Sequence, residues 1–110
     1  MKVHKPSEIP AQPVNAPLFT GGPVTRQTLL TPEASNDFNL GIVNFSPGAR
    51  NKMHTHSSDQ VLFVTAGKGV PGDVVHIPSE EKHWHGATPD SAFSHIALTA
   101  KGSTTTQVEK

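Results

Sequence analysis

Short runs of alternating apolar and polar residues follow one another along the chain, and turn residues bound each run. "FNLGIVNF" (38–45) alternates with a period of two, which is typical of a half-buried β-strand. No segment has the apolar repeat of an amphipathic helix. The pattern predicts an all-β sandwich or barrel. The other predicted strands are "VTRQTLL" (24–30), "KMHTH" (52–56), "QVLFVTA" (60–66), "DVVHIP" (73–78), "KHWHGA" (82–87) and "FSHIALTA" (93–100).

The distribution of proline divides the chain, although 110 residues form a single domain overall. Most of the prolines lie within residues 1–35, which predicts an extended N-terminal arm with "VTRQTLL" as an edge strand. Residues 36–110 would form the barrel, and their end, from 101 onward, would be a frayed tail or an edge. Within the barrel, "KMHTH" and "QVLFVTA" are expected to pair as a hairpin across the turn "SSD".

Charge and composition exclude several kinds of partner. The formal net charge is zero and the sequence pI is about 7.1, so we expect no nucleic-acid partner. No apolar run approaches the roughly 20 residues of a membrane span, and the first residues lack the apolar core of a signal peptide. The sequence contains no cysteine, which excludes a thiol nucleophile. We therefore expect a cytoplasmic protein that acts on a small molecule, with no membrane partner.

The histidines form two close pairs, His54-x-His56 and His83-x-His85. Side chains alternate along a strand, so the two members of each pair share one face. Gln60 begins the next strand, and His95 is in phase with the barrel side of "FSHIAL". If the strands close into a barrel, these positions converge inside it. Imidazole is a common ligand of divalent metals, so the pattern predicts a metal site; the alternative is a solvated histidine-rich surface.

Two motifs carry a resemblance to the cupin family. "PGARNKMHTHSSDQVLFVTAG" resembles the first cupin motif, with glutamine at position 60 where glutamate is usual. "GDVVHIPSEEKHWHG" resembles the second motif, with Glu80 where glycine is usual. The resemblance covers about residues 43–98 and implies a cupin jelly-roll barrel, or double-stranded β-helix. It also implies a homodimer built through the N-terminal arm and the metal ligands His54, His56, Gln60 and His83.

A narrower resemblance concerns the activity. "HTH-x3-Q", "EKHWHGA" and a histidine ten residues later resemble the bacterial manganese-dependent cupin hydroxynitrile lyases. This implies that His85 and His95 are catalytic residues that transfer protons and do not bind the metal. The predicted function is a lyase on cyanohydrin-like or hydroxy-carbonyl adducts. A metal-dependent dioxygenase and a non-catalytic metal- or ligand-binding cupin are the alternatives.

The glutamine influences the expected metal chemistry. Three imidazoles and an amide leave a divalent ion its full double positive charge, which favours Lewis-acid chemistry over oxygen activation. The ligand types suit Mn²⁺, Fe²⁺, Ni²⁺ or Zn²⁺, and the resemblance favours manganese. Outside this set, we expect His76 to be a non-ligand, His4 to be solvated and Trp84 to serve packing.

One segment departs from the cupin pattern. Only "KGVP" separates Gly67 from Gly72, where cupins carry a further hairpin of about a dozen or more residues. Either the barrel is truncated at this edge, or a loop is missing from the recorded sequence. The flanks look like the two stumps of an ordinary inter-motif segment, which favours the second explanation.

Overall fold

A computed structural model describes residues 1–68 and 72–110, and these residues are almost entirely β. The one helical segment described is a short 3-10 turn at Pro6–Glu8, so no described helix has the length and apolarity to cross a membrane. The expected all-β fold class is confirmed. In chain order the strands are β1 (Gln12–Pro13), β2 (Phe19–Thr20), β3 (Val24–Leu30), β4 (Phe38–Phe45), β5 (Arg50–Asn51), β6 (His54–His56), β7 (Gln60–Ala66), β8 (Val74–Ile77), β9 (Phe93–Ala100) and β10 (Thr105–Gln107).

The main sheet has six antiparallel strands in the order β1-β3-β4-β9-β7-β8. Its centre is the pair β4 and β9, which runs from Phe38 opposite Ala100 to Phe45 opposite Phe93. Directly opposed residues of neighbouring strands point to the same face of a sheet. One row across β3, β4, β9 and β7 therefore carries four side chains on a shared inner face: Arg26, Val43, His95 and Val64.

The apolar core lies on this inner face, directly beside the histidines. Phe45 is 1% exposed, and its ring centroid lies 6.2 Å from those of both Phe19 and Phe93. The same ring is 5.6 Å from the His95 ring. Burying one such aromatic side chain contributes roughly 1.5–3 kcal/mol. The main buried cluster consists of Val24, Val43, Phe45 and Ala49, and a second one of Leu62, Ile77 and Ala97.

Two small sheets and isolated bridges complete the fold. β10 pairs with β6, β2 pairs with β5, and single bridges join Arg50 to Gly86 and His54 to His83. A Cβ atom on Gly86 would lie 2.5 Å from Arg50 Cα, so only glycine permits this close approach. The glycine thus lets the segment that carries His83 and His85 lie against the strands before β6.

The expected hairpin of residues 52–56 with 60–66 is wrong. β6 pairs with β10, with His54 opposite Gln107, whereas both edges of β7 are occupied by β8 and β9. The reason is that pairing β7 between β8 and β9 buries Leu62 in one cluster with Ile77 of β8 and Ala97 of β9. Residues 82–87 also do not form the predicted strand, and only His83 and Gly86 make isolated bridges there.

Both the predicted N-terminal arm and the predicted C-terminal tail contain strands. "VTRQTLL" forms β3 with the expected bounds, and the two-residue β1 covers part of its outer edge. The tail contributes β10. The division into an arm, 1–35, and a barrel, 36–110, stays a prediction about folding units. The expected gap between Gly67 and Gly72 includes residues 69–71, which lie outside the described residues; on either side, β7 and β8 pair with each other.

Glu80 has a φ angle of 66° and is the only non-glycine residue described in the left-handed region. Its N–H donates to the His56 carbonyl at 2.8 Å, so the turn is tied to β6. A side chain in this conformation costs about 1–2 kcal/mol, and the extra chain entropy of glycine offsets part of that. Glu80→Gly should raise the free energy of unfolding by about 0.5–1 kcal/mol in urea titrations.

The neighbouring Glu81 provides the control, since its φ is not in that region. Glu81→Gly should lower the stability by about 0.5–1 kcal/mol. A Glu80→Gly protein less stable than the parent would contradict the prediction.

Candidate metal centre

Three imidazoles converge between β6 and the segment after β8. His54, His56 and His83 each offer one ligand atom, and these atoms lie within 4.8 Å of one another. The convergence follows from the backbone: His54 and His83 face each other in an antiparallel bridge, with N–H to carbonyl distances of 2.9 and 3.0 Å in the two directions. Alternation along β6 then adds His56 on the same side.

Backbone carbonyls fix the orientation of two of these rings. His54 Nδ1 lies 2.6 Å from the Lys52 carbonyl oxygen, and His83 Nδ1 lies 3.0 Å from that of Glu81. A carbonyl only accepts, so each Nδ1 carries the proton and donates it. Each Nε2 therefore presents its lone pair to the centre of the cluster. Such outer partners commonly orient metal-binding histidines.

The inner atoms of the cluster fit a divalent metal. His56 Nε2 is buried and has no hydrogen-bond partner among the described residues. Gln60 Oε1 lies 3.2 Å from His83 Nε2, although both atoms are acceptors when His83 carries its proton on Nδ1. A divalent cation would satisfy these lone pairs together. Histidine nitrogens and an amide oxygen are donors that such ions accept in proteins.

Burial favours the neutral form of His54 and His56. It lowers the pKa of His54 and lowers that of His56 to about 4; the neighbouring imidazoles push both values the same way. A metal binds neutral imidazole, so these shifts maintain the binding form near neutral pH. Among the residues that the structure describes, no carboxylate lines the two cavities around the cluster.

His85 and His95 form a second histidine pair beside the cluster. His95 is 0% exposed, and its Nε2 lies 3.0 Å from His85 Nδ1. Burial depresses the pKa of His85 well below its usual range and lowers that of His95 to about 4. The structure thus brings the two expected proton-transfer residues together, and it keeps them apart from the three converging ligand atoms.

Asn51 determines the tautomer of this pair. Its Oδ1 accepts the backbone N–H of His85 at 2.8 Å, which turns its Nδ2 toward the ring, 3.0 Å from His85 Nε2. An amide nitrogen only donates, so His85 Nε2 must accept. His85 Nδ1 then carries the proton and donates to His95 Nε2. Asn51 is 3% exposed, so water does not compete strongly for these contacts.

Two cavities open onto these groups. One, of about 180 Å³, is lined by the histidines of both clusters except His83, together with Phe19, Asn51 and Val43. The other, of about 320 Å³, is more polar and includes Asn39, Thr99 and Thr105. Arg26, His56 and Gln60 line both. A small molecule can therefore reach the candidate metal site and the His85–His95 pair from the same space.

Asn51 and Arg26 are defining residues of no motif that the sequence reveals. Arg26 was visible as a charged residue within a strand pattern, but its inward direction depends on the register with Val43. Asn51 lies three residues before His54, and only the fold brings it to His85. The sequence did not indicate either contact, because His85 is 34 positions after Asn51 and Val43 is on a different strand from Arg26.

The remaining sequence expectations concern side chains away from the cluster. His76 is exposed and its Nε2 lies 2.9 Å from Asp59 Oδ2, which agrees with a non-ligand role. His4 is exposed. Trp84 is also exposed, and the guanidinium of Arg50 lies 5.5 Å from its ring centroid, so its packing is with that side chain.

Known proteins provide a separate comparison. No family model matches the sequence. The chain is 47% identical over 68 aligned residues to an (R)-mandelonitrile lyase from Granulicella tundricola, a match that covers 51% of this chain and 52% of that protein. The chain therefore spans about half the length of this curated relative. The alignment has 68 positions, but 51% of this chain is only about 56 residues. The relative therefore has about a dozen residues in the aligned region that this chain lacks, which is the size of the hairpin expected between Gly67 and Gly72.

Solved structures extend the similarity to most of the chain. A cupin-like protein from Thermotoga maritima is 30% identical with a TM-score of 0.77, over 89% of this chain and 84% of that one. The polyketide cyclase RemF from Streptomyces resistomycificus has a TM-score of 0.85 at 20% identity, over 100% of this chain and 87% of its own, which shows the fold alone.

The antiparallel jelly-roll architecture, its three converging histidines and these similarities define the class of protein. The chain belongs to the cupins. Among cupins it is a small one that resembles the hydroxynitrile lyases, as the sequence motifs predicted.

Metal content tests the cluster directly. Protein reconstituted with Mn²⁺ should hold about one ion per chain by elemental analysis, because one ligand nitrogen from each of the three imidazoles lies within 4.8 Å of the other two. His54→Ala or His83→Ala should lose most of that ion. His76→Ala, at an exposed histidine outside the cluster, should retain it. Equal metal content in all four proteins would argue against the site.

The lowered pKa values predict how the metal-free protein responds to acid. Between about pH 6.5 and pH 4 the unfolded chain takes up protons on residues such as His56 and His95, whereas the folded chain does not. The unfolded state binds more protons, so stability should fall as the pH falls through this window. Urea titrations with a chelator present, at pH 7.5, 5.5 and 4.5, measure it. His95→Gln should flatten the dependence and His4→Ala should not.

Proposed function

We propose that this cupin is a metal-dependent lyase that cleaves cyanohydrin-like or hydroxy-carbonyl adducts, with His54, His56, Gln60 and His83 as the metal ligands. The observation that carries the proposal is the His85–His95 pair. It lies beside the candidate metal site, lines the same cavity, and has its tautomer fixed by Asn51. Similarity to an (R)-mandelonitrile lyase supports the reaction class.

The ligand set suits non-redox chemistry. When bound, a divalent ion would supply Lewis-acid polarisation of a substrate oxygen. Gln60 contributes no negative charge, unlike the glutamate usual at this position, so the side chains around the site do not reduce that polarising power. We propose Mn²⁺ as the ion; Fe²⁺, Ni²⁺ and Zn²⁺ suit the same donors.

The histidine pair provides the acid–base chemistry. His85 Nε2 is the unprotonated nitrogen of the ring, and it can take a hydroxyl proton from the substrate once the substrate hydroxyl displaces the Asn51 Nδ2 donor, which lies 3.0 Å from it. The charge that this creates is stabilised, because His85 Nδ1–H already donates to His95 Nε2 at 3.0 Å and a charged donor strengthens that bond. As the carbon–carbon bond breaks, its electron pair goes to the leaving group, and His85 returns the proton to it.

Asn51 acts through His85 and is a positioning residue. If the Asn51 amide were absent, the His85 ring would be free to adopt the other tautomer, with its proton on Nε2. That tautomer cannot accept a proton at Nε2. Asn51 therefore selects the form of His85 that can act as a base.

The proposed activity is tested with Mn²⁺-loaded protein and mandelonitrile under anaerobic conditions, with cyanide release as the measurement. Cyanide should be released without oxygen. His85→Ala and His95→Ala should each reduce the rate by roughly 10²–10⁴-fold, the usual contribution of general acid–base catalysis, and should keep the metal. His76→Ala, which changes an exposed histidine outside the cavity, is the matched control.

Other outcomes identify the alternative functions. Turnover only with oxygen would make the protein a dioxygenase. Saturable binding of small molecules with no turnover would make it a binding cupin. Rates unchanged in both histidine variants would show that the pair does not transfer the proton.

Assembly and compartment stay proposals. A homodimer through the N-terminal arm is expected from the cupin resemblance, and a cytoplasmic location from composition. In the single chain, Gln27 Nε2 donates to the carbonyls of Pro6 and Ile9, so this part of the arm packs on its own sheet. Further along the arm, β1 pairs with β3 and β2 pairs with β5 of the same chain, so we expect such a dimer to use arm surface outside these pairings.

A further inference from the structure

The positive charge of Arg26 lies inside the barrel. Arg26 stands opposite Val43 on β4, and Val43 stands opposite His95 on β9, so all three share the inner face. The Arg26 side chain lines both cavities beside the candidate metal site, together with His56 and Gln60. Its charge also contributes to lowering the pKa of His95.

The guanidinium has no counter-charge in the described part of the chain. None of the hydrogen bonds or ion pairs described there involves its side-chain nitrogens, whereas Arg50 has Glu109 at hydrogen-bond distance. The side chains that line the two cavities include no aspartate or glutamate. A half-buried charge without a partner costs stability, and burial accordingly lowers the pKa of Arg26.

The fold makes room for this charge at a specific place. The guanidinium lies on Gly41 of β4: a Cβ atom there would be 2.8 Å from Arg26 Nε and 2.9 Å from Nη2. Gly41 is opposite Ala97 on β9, another small residue that lines both cavities. Small residues in two adjacent strands thus leave the space in which the planar group lies across the inner face.

We propose that Arg26 forms a carboxylate-binding subsite beside the candidate metal site, so that the preferred substrate is a small hydroxy-carbonyl adduct that carries a carboxylate. The inference rests on the proposed function for the reaction and specifies its substrate class. A guanidinium presents parallel N–H donors that match the two oxygens of a carboxylate. A cyanide ion is diatomic and cannot accept from both parallel N–H donors in this way, so the guanidinium matches a carboxylate better. A carboxylate held there would place the neighbouring substrate carbon close to His56 and Gln60, which line the same cavities.

The test compares lactate with its neutral isostere lactamide, titrated into Mn²⁺-loaded protein by calorimetry. Arg26→Gln should weaken lactate binding by about 10- to 100-fold, as expected for hydrogen bonds to a charged group, and should leave lactamide binding and metal content unchanged. Arg26→Lys keeps the charge but loses the paired donors, so its lactate affinity should be intermediate. Lys101→Gln removes an exposed positive charge outside the cavities and should have no effect.

Gly41→Ala is a second variant that keeps the charge. The added Cβ displaces the guanidinium, which is the far end of a flexible side chain, so lactate binding should weaken while the fold is kept. Stability provides an independent readout. Arg26→Gln removes an unpaired, half-buried charge, so the melting temperature of the ligand-free protein should rise by a few degrees.

The outcomes separate this inference from the proposed reaction. Lactate affinity unchanged in Arg26→Gln, or weakened equally with that of lactamide, overturns the carboxylate subsite, even if cyanide is released from mandelonitrile. Discrimination between lactate and lactamide that depends on Arg26 supports the subsite, even if no cyanide is released. In that second case the proposed cyanohydrin cleavage fails and the preference for acids remains.

Discussion

The two backbone hydrogen bonds between His54 and His83 are the contact on which the site depends. They join β6 to a segment that has no regular secondary structure, and they place two imidazoles with ring centroids 4.2 Å apart. His56 follows by alternation on β6. His85 follows two residues after His83 and meets His95 of the main sheet. A shift of this bridge by one residue would turn these side chains to the opposite face.

The inner face of the barrel carries an apolar cluster that stabilises the fold and, beside it, the polar residues of the candidate site. Phe45 and its neighbours provide an apolar cluster in contact with the His95 ring, while four other histidines, Gln60, Asn51 and Arg26 occupy positions that apolar side chains could fill. Buried polar groups cost free energy unless they are paired. Here several inner atoms, among them His56 Nε2, lack partners within the described protein. Such an arrangement is expected where a ligand completes the pairing, and it makes stability dependent on that ligand.

The three groups around the cavity have separable roles. In the proposed function, His54, His56, Gln60 and His83 would hold the metal in a neutral shell and the His85–His95 pair would move the proton. Arg26 provides the one positive charge among the cavity-lining side chains described. Neutral ligands and a cationic side chain together make the cavity attractive to anions. Cupins share one barrel among many activities, so these local groups carry the functional argument, and the fold alone does not.

The sequence by itself determined the strands and the histidine pairs. Alternation located β3, β4, β7 and β9 with their observed bounds, and the two His-x-His motifs indicated which histidines would meet. Tertiary structure decided the pairing, because periodicity defines the face of a strand but not its neighbour. It therefore placed β6 against β10, and it brought Asn51 to His85 and Arg26 to Gly41. Those contacts join residues far apart along the chain, so no local pattern could specify them.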